Sequence, residues 1–203
     1  MSDPFSELVN TADEVRNMGD RHERAREPKG SKALKTIREY AILVLVALVL
    51  SFGIRTAVAE VRVVPSGSML PTIGIGDRLL TVKLVYRFGD PQRGDIVVFD
   101  PPENLKGKFN DPFVKRVIGL PGDIVEVRDG KTFVNGREYK VPTAASPSYT
   151  YGPIKVPDGY YFVLGDNRNQ SYDSHEWGFV PRENIIAKAV LVFWPPDDAK
   201  MLK

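Results

Sequence analysis

Ile124-Val125-Glu126-Val127-Arg128-Asp129-Gly130-Lys131-Thr132-Phe133-Val134 is the stretch whose reading decides the fold. Two short runs rich in Val and Phe flank Asp129-Gly130, a dipeptide that accepts the positive φ values a two-residue hairpin turn demands. This reads as a β-hairpin, and Asn135-Gly136 marks a further turn directly after it. The same texture continues in both directions, with short runs of Val, Ile, Phe and Tyr separated by Gly, Pro, Asp and Asn. Further strands are expected over 60–64, 78–85, 95–99, 114–119, 160–164 and 187–194, which makes residues 60–203 a mainly β domain. The stretches 101–112 and 142–157 carry several prolines and little periodicity, and read as surface loops.

The first 59 residues differ. Residues 1–39 are polar and charged, with Pro28, Gly30 and Ser31 expected to break any helical pattern, so they read as a flexible tail on the cytoplasmic side. From Tyr40 to Ile54 the sequence YAILVLVALVLSFGI carries no charge, and continuing to Ala59 gives about the 20 residues a bilayer requires. A transmembrane helix is therefore expected over 40–59, with Arg55 snorkelling towards a phospholipid headgroup. Arg21, Arg24, Arg26, Lys29, Lys32, Lys35 and Arg38 precede the span, whereas Arg55 and Arg62 closely follow it, which puts the tail inside and the β domain outside. A cleavable leader is the rival, since Ala57-Val58-Ala59 has a small-x-small form, but its charged region would be far too long.

Composition excludes several functions. A net charge of +2 gives no basic footprint for nucleic acid, because the dense basic stretch sits beside the apolar run. There is no cysteine, which removes disulfides and thiol catalysis, and His22 and His175 are the only histidines, so neither a metal nor another cofactor is expected.

Three stretches could carry chemistry. Val64-Pro65-Ser66-Gly67-Ser68-Met69-Leu70-Pro71-Thr72 breaks a strand with Pro and Gly and leaves two hydroxyls at a turn, where backbone N–H groups can also meet an oxyanion. Glycine there permits a positive φ; taken alone, Ser-Gly-Ser is usually a plain turn. In Phe113-Val114-Lys115-Arg116-Val117-Ile118-Gly119 two cations interrupt an apolar strand, and period-2 alternation sets Lys115 beside Phe113 and Val117, Arg116 beside Val114 and Ile118. Desolvating such a lysine by a shift of roughly 2 to 3 pH units from 10.4 makes it a base near neutrality; snorkelling to water is the bland alternative. The third stretch, 165–181, follows an apolar strand and is dense in hydrogen-bonding side chains. It fails as a calcium loop because Arg168 stands where an oxygen ligand belongs, and an Asx-rich turn network is its simplest reading.

Taken in order, PSGSM-x-PT, KR-V-I-G-LPGD and GDNR-x-x-S-x-DS-x-x-WG-x-VP strongly resemble the type I signal peptidase family, over roughly Tyr40 to Trp194. The resemblance implies an antiparallel β-sheet catalytic domain behind one N-terminal membrane helix, in the bacterial cytoplasmic membrane. It implies a serine endopeptidase that cuts signal peptides from secretory preproteins after small-x-small motifs. Ser68 would be the nucleophile and Lys115 its general base, with the Ser68 N–H and the Ser66 hydroxyl as oxyanion donors. Ser171 would orient the Lys115 amine, with Asp173, Arg168 and Arg116 as supporting positions. Shallow substrate pockets are expected at Val64, Met69, Ile73, Phe113 and Val114.

Two positions depart from that pattern. His175 stands where many relatives carry arginine, and Tyr172 where a smaller residue is common, which narrows the pocket beside the cut. A Ser68, His175, Asp173 triad is a rival chemistry, although Asp173 and His175 lie only two residues apart. A tethered β domain that binds extended peptides without cutting them is the rival from another class.

Overall fold

Ile124–Arg128 (β5) and Lys131–Val134 (β6) do form a hairpin, registering Arg128 opposite Lys131 and Val125 opposite Val134. Its turn residues Asp129 and Gly130 have φ of 52° and 70°, and Asn135 and Gly136 repeat the pattern at 50° and 76° to launch Arg137–Glu138 (β7). This pair of left-handed residues matches the twist of the flanking strands. The computed structural model describes residues 29–202.

The larger sheet is built from Ala59–Val63 (β1), Arg78–Val82 (β2), Ile96–Phe99 (β3), Phe113–Gly119 (β4), Tyr160–Leu164 (β9), Val180–Pro181 (β10), Ile185–Trp194 (β11) and Lys200–Met201 (β12). Its order is β1-β2-β11-β3-β4-β9-β10, with β12 on β11, and every pairing is antiparallel. A smaller antiparallel sheet, β7-β6-β5-β8, adds Tyr151–Lys155 (β8). Short helices Val85–Phe88 (α2) and Ser174–Trp177 (α3) punctuate the chain.

Two expected strands differ in their bounds: one ends sooner than 78–85 and the other starts before 187. The run at 78–85 stops at Val82 because Leu84 already has helical φ and ψ and leads into α2. β11 starts at Ile185 and bulges between Ala189 and Leu191 and again between Val192 and Trp194. The stretch 142–157 holds β8, which was not foreseen: Pro153 sits inside it, and proline is tolerated there because β8 is an edge strand.

β3 is buried at all four positions, as befits a strand covered on both faces. Val97 and Phe99 face a core with Val117, Tyr161, Val163 and Trp177, while Ile96 faces another with Val64, Met69, Ile73 and Leu79. A third core, with Ile118, Val125, Val156 and Phe162, joins the two sheets. Gly119 permits that junction: a Cβ there would stand 2.6 Å from Val125 Cγ2.

N-terminal to the sheets, Lys29–Val58 is one continuous helix (α1), so Gly30 and Ser31 do not interrupt it. Ile42, Leu43, Val44, Leu45, Val46, Leu48 and Val49 are all exposed on it. The chain divides into two units, Met1–Phe52 and Gly53–Lys203. Among the described residues no helix is long and apolar enough to cross a membrane. The span expected over 40–59 includes positions whose side chains lie outside the described residues; of the tail expected over 1–39, residues 1–28 lie outside them and 29–39 are helical rather than flexible.

Candidate active site

Ser68 sits in a single 3₁₀ turn, Gly67–Met69, held between two core anchors. Val64 and Met69 are buried on either side, and Val64 N–H donates to Asp77 O while Gly76 N–H donates to Val64 O. The turn is thereby fixed while its hydroxyls face a cleft. Gly67 does not use a positive φ, contrary to the expectation for that glycine. Its missing side chain keeps the turn clear of Leu70, whose Cδ1 would stand 3.0 Å from a Cβ.

Lys115 reaches the same point from the middle of β4. Its Nζ lies 2.7 Å from Ser68 Oγ, across 47 residues of sequence. The residue is only 5% exposed, and the Phe113 ring centroid is 5.9 Å from the nitrogen. Burial pushes the amine down to about 8, while the negative charge of Asp173 pulls the other way. The lysine does not snorkel, because its strand is covered on both faces. A serine hydroxyl thus touches an amine that gives up its proton at about pH 8, an arrangement that can supply a nucleophile and its base. Ser66 Oγ lies 3.3 Å from Ser68 Oγ, within reach of an oxyanion formed there.

Arg116 points to the opposite face of β4 and is equally buried. Its Nε and Nη2 donate to the two oxygens of Asp166 at 2.9 and 2.7 Å, a bidentate pair, and its Nη1 donates to Gly94 O. Thr72 Oγ1 donates to Asp166 as well, so this pair locks the end of the serine turn to β4 and the polar loop.

The polar loop holds the Ser68 turn from behind. Asn167 N–H donates to Ser68 O at 3.1 Å, and Asn167 Nδ2 donates to Gly67 O at 3.0 Å. Asp173 is fully buried; its Oδ2 accepts from Gly165 N–H at 2.8 Å, and its Oδ1 meets His175 Nδ1 at 2.7 Å. Arg168 is buried too, and donates to Gly165 O and to Thr132 Oγ1. Ser171 is buried beside Gly165, but its hydroxyl makes no hydrogen bond, so the expected contact with the Lys115 amine is not formed. His175 is engaged with Asp173 and Glu176 rather than Ser68, which leaves the triad without its central bond.

The cleft at Ser68 and Lys115 holds about 790 Å³ and is lined by Val64, Met69, Phe113 and Val114, four of the five positions expected. Ile73 does not line it: the side chain is fully buried in the core beneath Met69. Leu70, Ile75, Phe109 and Gln170 line it instead, together with Tyr172. Phe109 comes from a stretch read as a surface loop; nothing in its spacing marks it, and only the fold brings its ring onto Phe113 and Tyr172. Among the described residues no group of His, Asp or Glu is placed to hold a metal ion.

The family model for signal peptidase, peptidase S26, matches residues 37–194. The chain belongs to this family. The peptidase is 54% identical over 169 residues to a probable signal peptidase I-2 of Synechocystis, covering 82% of this chain and 78% of the relative. It is 54% identical over 153 residues to a signal peptidase I of Leptolyngbya laminosa, covering 73% and 75%. A signal peptidase I of Bacillus licheniformis is 35% identical over 181 residues, covering 83% of this chain and 95% of its own.

Proposed function

We propose that the peptidase is a Ser/Lys-dyad serine endopeptidase that removes N-terminal signal peptides from secretory preproteins, after small-x-small motifs. The observation that carries this reading is the 2.7 Å contact between Ser68 Oγ and a buried Lys115 amine. Neutral Lys115 takes the hydroxyl proton as Ser68 Oγ bonds to the scissile carbonyl carbon. The oxyanion is met by the Ser68 N–H and the Ser66 hydroxyl; losing one such donor costs about 3 to 4 kcal/mol of transition-state stabilisation. The lysine ammonium returns the proton to the leaving nitrogen, and the carbon–nitrogen bond breaks to give an acyl-enzyme. Water then adds to the acyl carbon with Lys115 again as base, and Ser68 is freed.

The substrate lies extended in the cleft, where Val64, Met69, Phe113 and Val114 offer shallow apolar contacts suited to small side chains. The helix α1, with its exposed apolar side chains and the basic residues before it, anchors the peptidase in the bacterial cytoplasmic membrane. Its N-terminus is cytoplasmic, its β domain is on the periplasmic or extracellular side, and phospholipid surrounds the anchor. The relatives' names as signal peptidases support the substrate class.

The test is processing of a preprotein with an Ala-x-Ala site by the full chain in phospholipid, with mass spectrometry of the new N-terminus. Wild type cuts after that motif, while Ser68→Ala and Lys115→Met do not. His175→Ala retains measurable turnover. Cutting by Lys115→Met at the wild-type rate would overturn the dyad.

A further inference from the structure

Asp173 is the charged group nearest in influence to the Lys115 amine, and it is bound to a titratable partner rather than a permanent cation. Its carboxylate is fully buried and has both oxygens occupied, one by Gly165 N–H and the other by His175 through both its backbone N–H and its ring. Since the carboxylate only accepts, His175 Nδ1 carries a proton. The ring's other nitrogen, Nε2, lies 3.3 Å from Glu176 Oε1, a second acceptor. A neutral ring protonated at Nδ1 would turn a lone pair towards that carboxylate, whereas an imidazolium presents it with an opposite charge. The Tyr149 ring stacks on it face to face, 4.1 Å between centroids and 11° between planes, an arrangement that also favours a cation.

We propose that His175 is a positioning residue of the dyad: its imidazolium holds Asp173 in place and offsets that carboxylate's charge, so that Lys115 can stay neutral. The proposal rests on the dyad reading. The charged and titratable groups facing the pair are Glu176 and Tyr149 beside the ring, Arg168 on the loop behind Asp173, and Lys115 on β4. Arg168 cannot replace His175, because its hydrogen bonds go to Gly165 O and Thr132. The Asp173 bond raises the His175 pKa above its ordinary 6.5, while burial lowers that of Lys115 to about 8. The two shifts bring the titrations closer together, and the carboxylate that acts on both groups couples them. A proton on His175 helps Lys115 to lose its own. As His175 becomes neutral, the Asp173 charge is uncovered and pulls a proton back onto the amine.

The same carboxylate reaches the nucleophile mechanically. Gly165, fixed by Asp173, packs against the Ser68 carbonyl, so a loosened Asp173 frees the loop behind the serine. A neutral amide at position 175 keeps a donor but loses the charge, which separates the electrostatic role from the structural one.

The test is the pH profile of kcat/KM for preprotein cleavage by the full chain in phospholipid, for wild type, His175→Gln and His175→Arg. The acid limb of His175→Gln is expected about half a pH unit above that of His175→Arg, with wild type between them and shallower than a one-proton limb. At pH 7 that is a loss of about threefold in His175→Gln relative to His175→Arg. Coincident limbs would overturn the proposal. A second measurement needs no activity: NMR titration of the His175 ring in Ser68→Ala, with and without Lys115→Met. Linkage is reciprocal, so removing the ammonium must raise the His175 midpoint, and an unmoved midpoint also overturns it. If Ser68→Ala and Lys115→Met are both inactive while the limbs coincide, the dyad stands and only the role of His175 falls. If either still cuts at the wild-type rate, both fall.

Discussion

Gly165 and Ser68 meet so closely that a methyl group on Gly165 would stand 2.4 Å from the Ser68 carbonyl oxygen and 2.2 Å from Ser171 Oγ. Neither neighbour can retreat cheaply, because Asn167 N–H holds the carbonyl and Ser171 is buried. Gly165→Ala is expected to lower stability by about 1 to 3 kcal/mol through overpacking. Its kcat should fall by roughly 100-fold, since about 1 Å of displacement at a reacting group suffices for that. Urea denaturation and single-turnover cleavage check the two effects separately; full activity in a destabilised protein would refute the coupling.

Lys115 exposes a conflict between function and stability. A folded value of about 8 against 10.5 means that the unfolded chain binds more protons between those limits, so stability rises with pH from about 8 to 10.5. Below that window the folded state carries the whole penalty, about 3 kcal/mol at most. Lys115→Met is expected to be inactive yet more stable at pH 7, by about 1 to 3 kcal/mol, with the gain vanishing above pH 10.5. Denaturation midpoints at pH 7 and pH 10.5 decide it. In the active protein, kcat/KM should climb through about pH 8 as the amine loses its proton.

The pair on the other face of β4 behaves in the opposite sense. Arg116 is 4% exposed and Asp166 is fully buried, so Arg116→Met leaves a carboxylate in the interior without its bidentate partner. A loss of about 3 to 5 kcal/mol is expected from that uncompensated charge, and Asp166→Asn added to Arg116→Met should recover part of it. Equal stability of the single and double variants would contradict this. Activity should follow stability in this series, because Arg116 lies on the face of β4 opposite Lys115 and does not line the cleft.

How far the sequence was legible follows from the range of the interactions. The β5–β6 hairpin was readable because Asp129-Gly130 decides its own geometry locally. α1 was readable as an apolar run, but not its start at Lys29, since Gly30 and Ser31 cost a helix only a fraction of what the run beyond them supports. Lys115 was legible as a lysine in an apolar strand, though alternation alone left burial and snorkelling both open. What closed that choice is the packing on both faces of β4, which no local pattern reveals. Ile73 was misplaced for a related reason: an apolar residue near the serine can line a cleft or fill the core under it, and only the turn from Met69 to Ile73 decides. Phe109 was invisible because its role exists only where a loop folds back over Phe113.

That returning loop bears on selectivity. Phe109 bridges Phe113 and Tyr172, with centroids 5.2 and 5.7 Å away, so Tyr172 is one end of an aromatic wall beside the dyad. Tyr172 is half exposed and has no buried hydroxyl to satisfy, so its removal widens the cleft without a large folding penalty. Tyr172→Ala is therefore expected to accept a larger residue beside the cut, shifting the Val-to-Ala ratio of kcat/KM by about tenfold towards Val, the scale of a methylene or two in an apolar pocket. Matched preproteins with Ala or Val at that position, read by mass spectrometry, provide the measurement. An unchanged ratio would place the selective wall elsewhere in the cleft, at Leu70 and Ile75, where Ile75→Ala should then produce the shift.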